Sequence, residues 1–283
     1  MGWPSCVGAL AMLFGLGGCF EATPFSADVE EEDEGTIGKN LARLSGAPTA
    51  IRVVALGDTH HSYRDMDAAF PFINARAPEL VVHTGDMTNQ GLLFEYEATK
   101  RRLDELSAPY FPVIGNHDAL SNGKEIYDEM FGPLDYLFRY GPFVFIGFNA
   151  NALEFDGQVP NRPWLEAALE SVRAAERVIL FTHQVPYAVD DFDGGDTSAY
   201  LTELFRRHRI ELVIHGHIAQ RYLRRSGPTL TLSTSTFEGG DYSVIDFRDR
   251  GLTVEHCTLG DCVPAPVPPI VIEPIPLGGG DVL

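Results

Sequence analysis

Basic residues are scarce in this sequence: 21 Lys and Arg stand against 40 Asp and Glu among 283 residues, a formal net charge of -19 at pH 7. A surface so acidic repels nucleic acid and anionic membrane, so no nucleic-acid binding is expected. The one basic cluster, Arg221-Tyr-Leu-Arg-Arg225, is short and reads as a solvated strand face or rim. Membrane-spanning apolar runs are missing as well, because the stretch from Val7 to Leu16 is too short to cross a bilayer as a lone helix. Neither an internal repeat nor a mid-chain linker interrupts residues 47–262, which argues for one domain there. Cysteine is sparse at four residues. Cys6 and Cys19 lie near the N-terminus, leaving only Cys257 and Cys262, separated by the turn sequence Thr-Leu-Gly-Asp. Two thiols without partners make a poor metal site; in an exported protein such a pair reads as a disulfide closing a terminal hairpin.

The apolar run at the start has the length of a secretory signal core, and Leu16-Gly-Gly-Cys19 resembles the lipobox of bacterial lipoproteins. That resemblance implies a signal peptide over residues 1–18, lipidation of Cys19, and an exported protein held to the membrane by a lipid anchor, facing the periplasm or cell exterior. The region before the apolar core lacks Lys and Arg, a departure from the pattern, and an ordinary secretory signal cut nearby is the alternative. Residues 19–46 contain Asp28-Val-Glu-Glu-Glu-Asp-Glu34 and are expected to form an acidic, self-repelling tether. Residues 263–283 are rich in Pro and then Gly and are expected to form a poorly ordered tail.

Between these ends, strand and helix alternate. Apolar runs at Ala50–Leu56, Glu79–His83 and Tyr110–Ile114 predict strands, with helices over Tyr63–Arg76 and Leu93–Leu106. The second half predicts strands at Phe143–Asn149, Arg177–Phe181 and Glu211–Ile214, with helices from Pro163 and Thr197, and then three antiparallel strands at Thr229–Ser233, Tyr242–Arg248 and Leu252–Cys257. The expected fold class is α/β, with two mixed sheets face to face and helices outside them, a four-layer α/β/β/α sandwich.

The early strands break in the same manner. Each ends at a Gly next to metal-competent side chains: Gly57-Asp58-Thr59-His60, Gly85-Asp86 and Gly115-Asn116-His117-Asp118. Later strands end in Thr182-His183 and His215-Gly216-His217. Sites collect beyond the carboxyl ends of parallel strands, and one such break is ordinary turn chemistry whereas three in succession are not. Carboxylate, imidazole and amide oxygen together suit divalent ions of the Mn, Fe or Zn class, and one carboxylate shared between two ions holds them about 3.5–4 Å apart.

This set, in this order, resembles the calcineurin-like metallophosphoesterases. The resemblance covers residues 50 to about 245 and implies hydrolysis of phosphate mono- or diesters by a metal-activated hydroxide. It implies Asp58 and His60 as ligands of a first metal, Asp86 as the bridge, and Asn116, His183 and His217 as ligands of a second. His117 would be the catalytic proton donor, with Asp118 and His215 in supporting roles. Two departures stand out. The residue three beyond the bridging Asp, where the family often has a carboxylate to orient the catalytic His, is Asn89. The family's closing Gly-His-x-His reads Gly216-His217-Ile218-Ala219, so one ligand of the first metal is missing, leaving water or Gln220 in the gap. Ala219 and Asn89 together motivate the alternative, a catalytically weak or inactive metal-binding surface lipoprotein. His61 could reach a substrate phosphate or face solvent, Gln184 and Tyr187 could line the cleft, and His83 reads as a core residue.

Overall fold

The structure is a computed structural model that describes residues 26–29, 35–185, 196–226, 228–249 and 251–269. The signal-like run, Cys19, most of the acidic stretch, Tyr187 and residues 270–283 lie outside the described residues.

Strands β1 (Ile51–Leu56), β2 (Leu80–His83) and β3 (Tyr110–Pro112) alternate with helices α2 (Tyr63–Ala75) and α3 (Leu93–Leu103), after a first helix α1 (Thr36–Arg43). Then come α4 (Gly123–Phe131), β4 (Tyr136–Tyr140), β5 (Phe143–Gly147), α5 (Arg162–Glu170), β6 (Arg177–Thr182), α6 (Asp196–His208) and β7 (Leu212–His215). The chain closes with β8 (Tyr222–Ser226), β9 (Thr229–Ser233), β10 (Asp241–Phe247), β11 (Leu252–Thr258) and β12 (Asp261–Ala265).

Two six-stranded mixed sheets result, ordered β12-β11-β10-β1-β2-β3 and β4-β5-β6-β7-β9-β8. Strand alternation sorts the second sheet's side chains into two layers. Phe143, Phe145, Ile179, Phe181, Leu212 and Ile214 join the core shared with the first sheet, while Val144, Ile146, Val178, Leu180 and Val213 pack with Leu165, Leu169, Leu204 and Phe205 of the outer helices. On the other side, α2 turns Met66, Ala69, Phe70 and Ile73 into the core, the i, i+3, i+4, i+7 stripe of an amphipathic helix. The architecture is the two-sheet sandwich with flanking helices that the sequence predicts.

Three expectations need correction. The stretch expected to be a tether over residues 19–46 contains α1, whose Thr36, Ile37 and Asn40 are buried. Asn40 Nδ2 donates to the Tyr110 carbonyl at 2.8 Å and Thr36 Oγ1 to the Met130 carbonyl at 2.9 Å, so the domain begins before residue 47. The Pro-rich tail begins later than residue 263, because β12 pairs Val263 with His256 and Ala265 with Val254. Pro264 is tolerated there because it sits on the last strand of the sheet, where its missing N–H faces no partner strand. Finally, β9 is parallel to β7 and antiparallel only to β8. At the hairpin of β11 and β12, Cys257 and Cys262 face each other in register and are joined by a disulfide, with Cα atoms 4.0 Å apart.

Candidate metal centre

The carboxyl ends of β1, β2 and the loop after β3 meet those of β6 and β7, and the sequence-predicted ligands lie where they meet. Asp58, His60 and Asp86 each offer one ligand atom, and these atoms all lie within 4.8 Å of one another. Beside them Asn116 Oδ1 lies 2.8 Å from His183 Nε2 and 3.0 Å from His217 Nδ1. The two imidazole nitrogens are 3.2 Å apart, and His183 Nε2 is 3.4 Å from Asp86 Oδ2.

Main-chain carbonyls set the direction of three rings. His60 Nδ1 is 3.0 Å from the Thr88 carbonyl, His183 Nδ1 is 2.8 Å from that of Thr84, and His117 Nδ1 is 2.9 Å from that of Asn89. A carbonyl only accepts, so each Nδ1 carries a proton and Nε2 is the nitrogen turned to the site. For His183 that nitrogen faces an amide oxygen, another imidazole nitrogen and a carboxylate. In the metal-free chain a proton on His183 can bridge these groups; with that proton displaced, the donor set fits a divalent ion. The first cluster fits one less fully, since among the described residues it comprises three ionisable ligands, and Ala219, exposed on a bend, has no donor atom in its side chain.

The backbone bends sharply to deliver these groups. Asp58, His60, Asp86 and His217 all have positive φ, between 40° and 69°, a conformation that costs a non-glycine residue about 1–3 kcal/mol. Neighbouring glycines give the room: a Cβ on Gly115 would sit 2.1 Å from Asp86 Oδ1, and one on Gly216 would sit 2.5 Å from Asp58 Oδ2. Amides also hold the carboxylates. His117 N donates to Asp86 Oδ1 at 3.0 Å, and His217 N to Asp58 Oδ1 at 3.1 Å.

Electrostatics follow from burial and crowding. Burial, with Asp86 adding to it, pushes the Asp58 carboxyl up to about 7 despite the pull of His183. Burial also opposes ionisation of Asp86, but His183, His60 and His117 outweigh it and hold that carboxyl at about 2. Burial disfavours a charged His183 as well, yet Asp86 and Asp58 win and raise it to about 9. Burial and the neighbouring His183 lower His217 to about 4.

The supporting residues differ in what they touch. Asp118 is fully buried and accepts from Thr88 N at 2.8 Å, Thr88 Oγ1 at 2.9 Å and Gly115 N at 2.9 Å, tying together the loops that carry Asp86 and Asn116. His215 turns away from the ligands: Nε2 meets Tyr222 Oη at 2.7 Å, and burial lowers the ring to about 4. His83 is a core residue that links Thr59 Oγ1 and Gly85 N. Asn89 does not use its side chain on His117; that amide lies 2.9 Å from His61 Nδ1, and only the main-chain oxygen reaches the His117 ring. His61, half in solvent, also meets Glu95 Oε1 at 3.1 Å. Sequence reasoning did not find Glu95, a buried carboxylate at the start of α3 that accepts from the amides of Gln90 and Leu92 as well. Its signal was an acidic residue in the first turn of a helix, a pattern that ordinarily means capping. Burial opposes its charge, but the bonds from His61 and the three backbone amides hold its carboxyl below the usual range.

A cleft of about 700 Å³ opens beside Asp58 and His60, lined further by His61, Tyr63, Arg64, Arg102 and Glu238. Among the described residues, no helix is long and apolar enough to cross a membrane.

A probable glycerophosphodiester phosphodiesterase, GpdQ, of Arcobacter nitrofigilis is 32% identical over 120 residues, covering 40% of this chain and 44% of that protein. A probable cyclic nucleotide phosphodiesterase of Synechococcus is 24% identical over 178 residues, covering 58% of this chain and 67% of that protein. The chain thus spans less than half the length of the first relative and about two thirds of the second. Among solved structures, a dimetal phosphatase from Danio rerio superposes with a TM-score of 0.59 at 14% identity, over 76% of this chain and 98% of that one, a likeness of fold alone. The calcineurin-like phosphoesterase family model matches residues 51–221, more than half of the sequence and all of the strand ends that carry the sequence-predicted ligands, and the chain belongs to that family.

Proposed function

We propose that this chain hydrolyses small phosphate diesters, and monoesters less readily, with two divalent ions of the Mn, Fe or Zn class. Asp58, His60 and Asp86 would hold the first, and Asp86, Asn116, His183 and His217 the second. The observation that carries this reading is the convergence of Asn116 Oδ1, His183 Nε2 and His217 Nδ1 within 3.2 Å, an oxygen and two ring nitrogens placed as the ligands of one cation would be. Two ions there would supply an activated water and neutralise charge on the phosphoryl oxygens. His117 would serve the leaving group: its Nδ1–H is held by the Asn89 carbonyl, so Nε2 is the atom that passes a proton to the departing alcohol. The cleft beside His60 would take the alcohol, and its mix of Tyr63, Arg64, Arg102 and Glu238 suits a polar group such as a nucleoside or a phospholipid head group. The names of the two phosphodiesterase relatives favour diesters over monoesters. We further read the chain as exported and held to a membrane through a lipid on Cys19, on the strength of Leu16-Gly-Gly-Cys19 alone.

A second reading has one observation in its favour. With Ala219 in place of a fourth ligand, the first ion would be held weakly, and the chain would be a metal-binding surface protein with little turnover. Hydrolysis of bis(4-nitrophenyl) phosphate, measured with added Mn²⁺, Fe²⁺ or Zn²⁺ beside metal counts per chain, separates the two. The enzyme reading expects turnover, and expects Ala219→His to tighten metal binding and raise the rate. No turnover with any of these ions, with one ion or fewer bound per chain, would sink the enzyme reading.

A further inference from the structure

The carboxylate that the sequence lacks at position 89 has a counterpart elsewhere in space. Glu95 is 2% exposed, and its Oε2 accepts from Gln90 N at 3.0 Å. That N–H belongs to the same peptide unit as the Asn89 carbonyl, which takes the Nδ1 proton of His117 at 2.9 Å. Carboxylate, peptide and imidazole therefore form one hydrogen-bonded chain. A peptide whose N–H is bound by a carboxylate carries more negative charge on its oxygen, and successive bonds in such a chain strengthen each other by roughly 10–30% each. The carbonyl that meets His117 is thereby both fixed in place and made a better acceptor.

An ordinary helix start accounts for only part of this. Glu95 accepts from Leu92 N at 3.2 Å, the bond expected of an acidic residue in a first turn. Its other contacts, with Asn89 N at 3.4 Å, Gln90 N at 3.0 Å and His61 Nε2 at 3.1 Å, lie outside the helix and fasten the loop beneath His117. The Asn89 side chain meanwhile turns to His61, and among the described residues the hydrogen-bond partner of His117 Nδ1 is the neutral Asn89 carbonyl.

We propose that Glu95 is a positioning residue for His117, acting through the Asn89–Gln90 peptide bond in place of a carboxylate at position 89. The proposal rests on His117 being the group that protonates the leaving alcohol.

The test compares the full-length metal-loaded protein with Glu95→Gln, which keeps an oxygen for Gln90 and Leu92 but removes the charge. Two diesters are used: bis(4-nitrophenyl) phosphate, whose leaving group departs without a proton, and an alkyl 4-nitrobenzyl phosphate, whose alcohol needs one. The expected result is a kcat loss of about tenfold or more on the alkyl ester with KM unchanged, and a change within about twofold on the aryl ester. On a His117→Ala background the same Glu95 substitution should have no further effect, since the two residues act as a unit. A second readout needs no turnover. In the metal-free protein, the His117 Nδ1–H resonance, assigned by its absence in His117→Ala, should shift upfield or broaden in Glu95→Gln. Equal losses on both esters, an additive loss on His117→Ala, or an unmoved Nδ1–H resonance would overturn the proposal. A wild-type protein that cleaves neither ester would overturn the hydrolase reading instead, and the resonance would still decide whether Glu95 governs the His117 ring.

Discussion

Replacing Asp118 tests how the site is held together before any ion arrives. Its carboxylate is fully buried and takes bonds from Thr88 N, Thr88 Oγ1 and Gly115 N. Asp118→Ala orphans two buried backbone donors and a hydroxyl. Each orphaned donor costs about 1–3 kcal/mol, so a gross total of about 3–9 kcal/mol is expected. Part of that is returned, because burial and the nearby Asp86 already push the Asp118 carboxyl up and make its charge unfavourable. Asp118→Asn sharpens the inference: Oδ1 can keep both Thr88 bonds, and only Gly115 N–H is left facing an amide, a loss of about 1–3 kcal/mol. Urea unfolding of the metal-free protein, with m-values compared, measures both. Metal affinity at the Asn116 side should fall in the same order, since Gly115 leads directly into Asn116. The reasoning fails if Asp118→Ala stays within about 1 kcal/mol of wild type, or if the Asn variant proves the less stable of the two.

Two further outcomes follow from the same geometry. Gly115→Ala places a Cβ 2.1 Å from Asp86 Oδ1 and 2.2 Å from Asp86 N. Because one contact is backbone, the cost should be about 1–3 kcal/mol or more, with metal content below wild type; a variant with unchanged melting and metal content would contradict the overlap. His83 should make the fold acid-sensitive. It accepts from Gly85 N at Nδ1, so the folded ring is the neutral Nε2–H form, and burial lowers it to about 3 from 6.5. A depressed folded value means that stability is whole above pH 6.5 and is lost progressively as pH falls toward 3, on the order of 4 kcal/mol in all. His83→Gln, which can keep one donor and one acceptor, should flatten that part of the stability profile measured by urea titration from pH 7 to 3.5.

How much of this was legible in the sequence depends on which atoms carry the information. The strand ends at Gly57, Gly85 and Gly115 were visible because side-chain type and glycine placement announce them. The orientation of those side chains was not visible. Thr84, Thr88 and Asn89 direct three histidines through carbonyl oxygens, which every residue possesses. Asn89 looked like a weakened partner for His117 by its side chain, whereas its main chain makes the contact. Helix α1 hid inside an acidic context because its few buried groups find partners far along the chain, at Tyr110 and Met130. The parallel pairing of β9 with β7 was missed because alternation of apolar residues fixes a strand's faces and not its direction.

The division of the proposed ligands between the two sheets has a mechanical consequence. Asp58, His60 and Asp86 follow β1 and β2, and Asn116 follows β3, all in one sheet; His183 and His217 follow β6 and β7 in the other. On the proposed assignment an ion between Asn116, His183 and His217 would be a rivet through the sandwich, and binding there would add to the force that keeps the two layers from sliding apart. On the same assignment Ala219 would offer the first ion no side-chain ligand from the second layer, and that ion would be moored to a single layer. Removing it should leave the sandwich as tightly closed as before, whereas stripping its neighbour should let the two halves loosen.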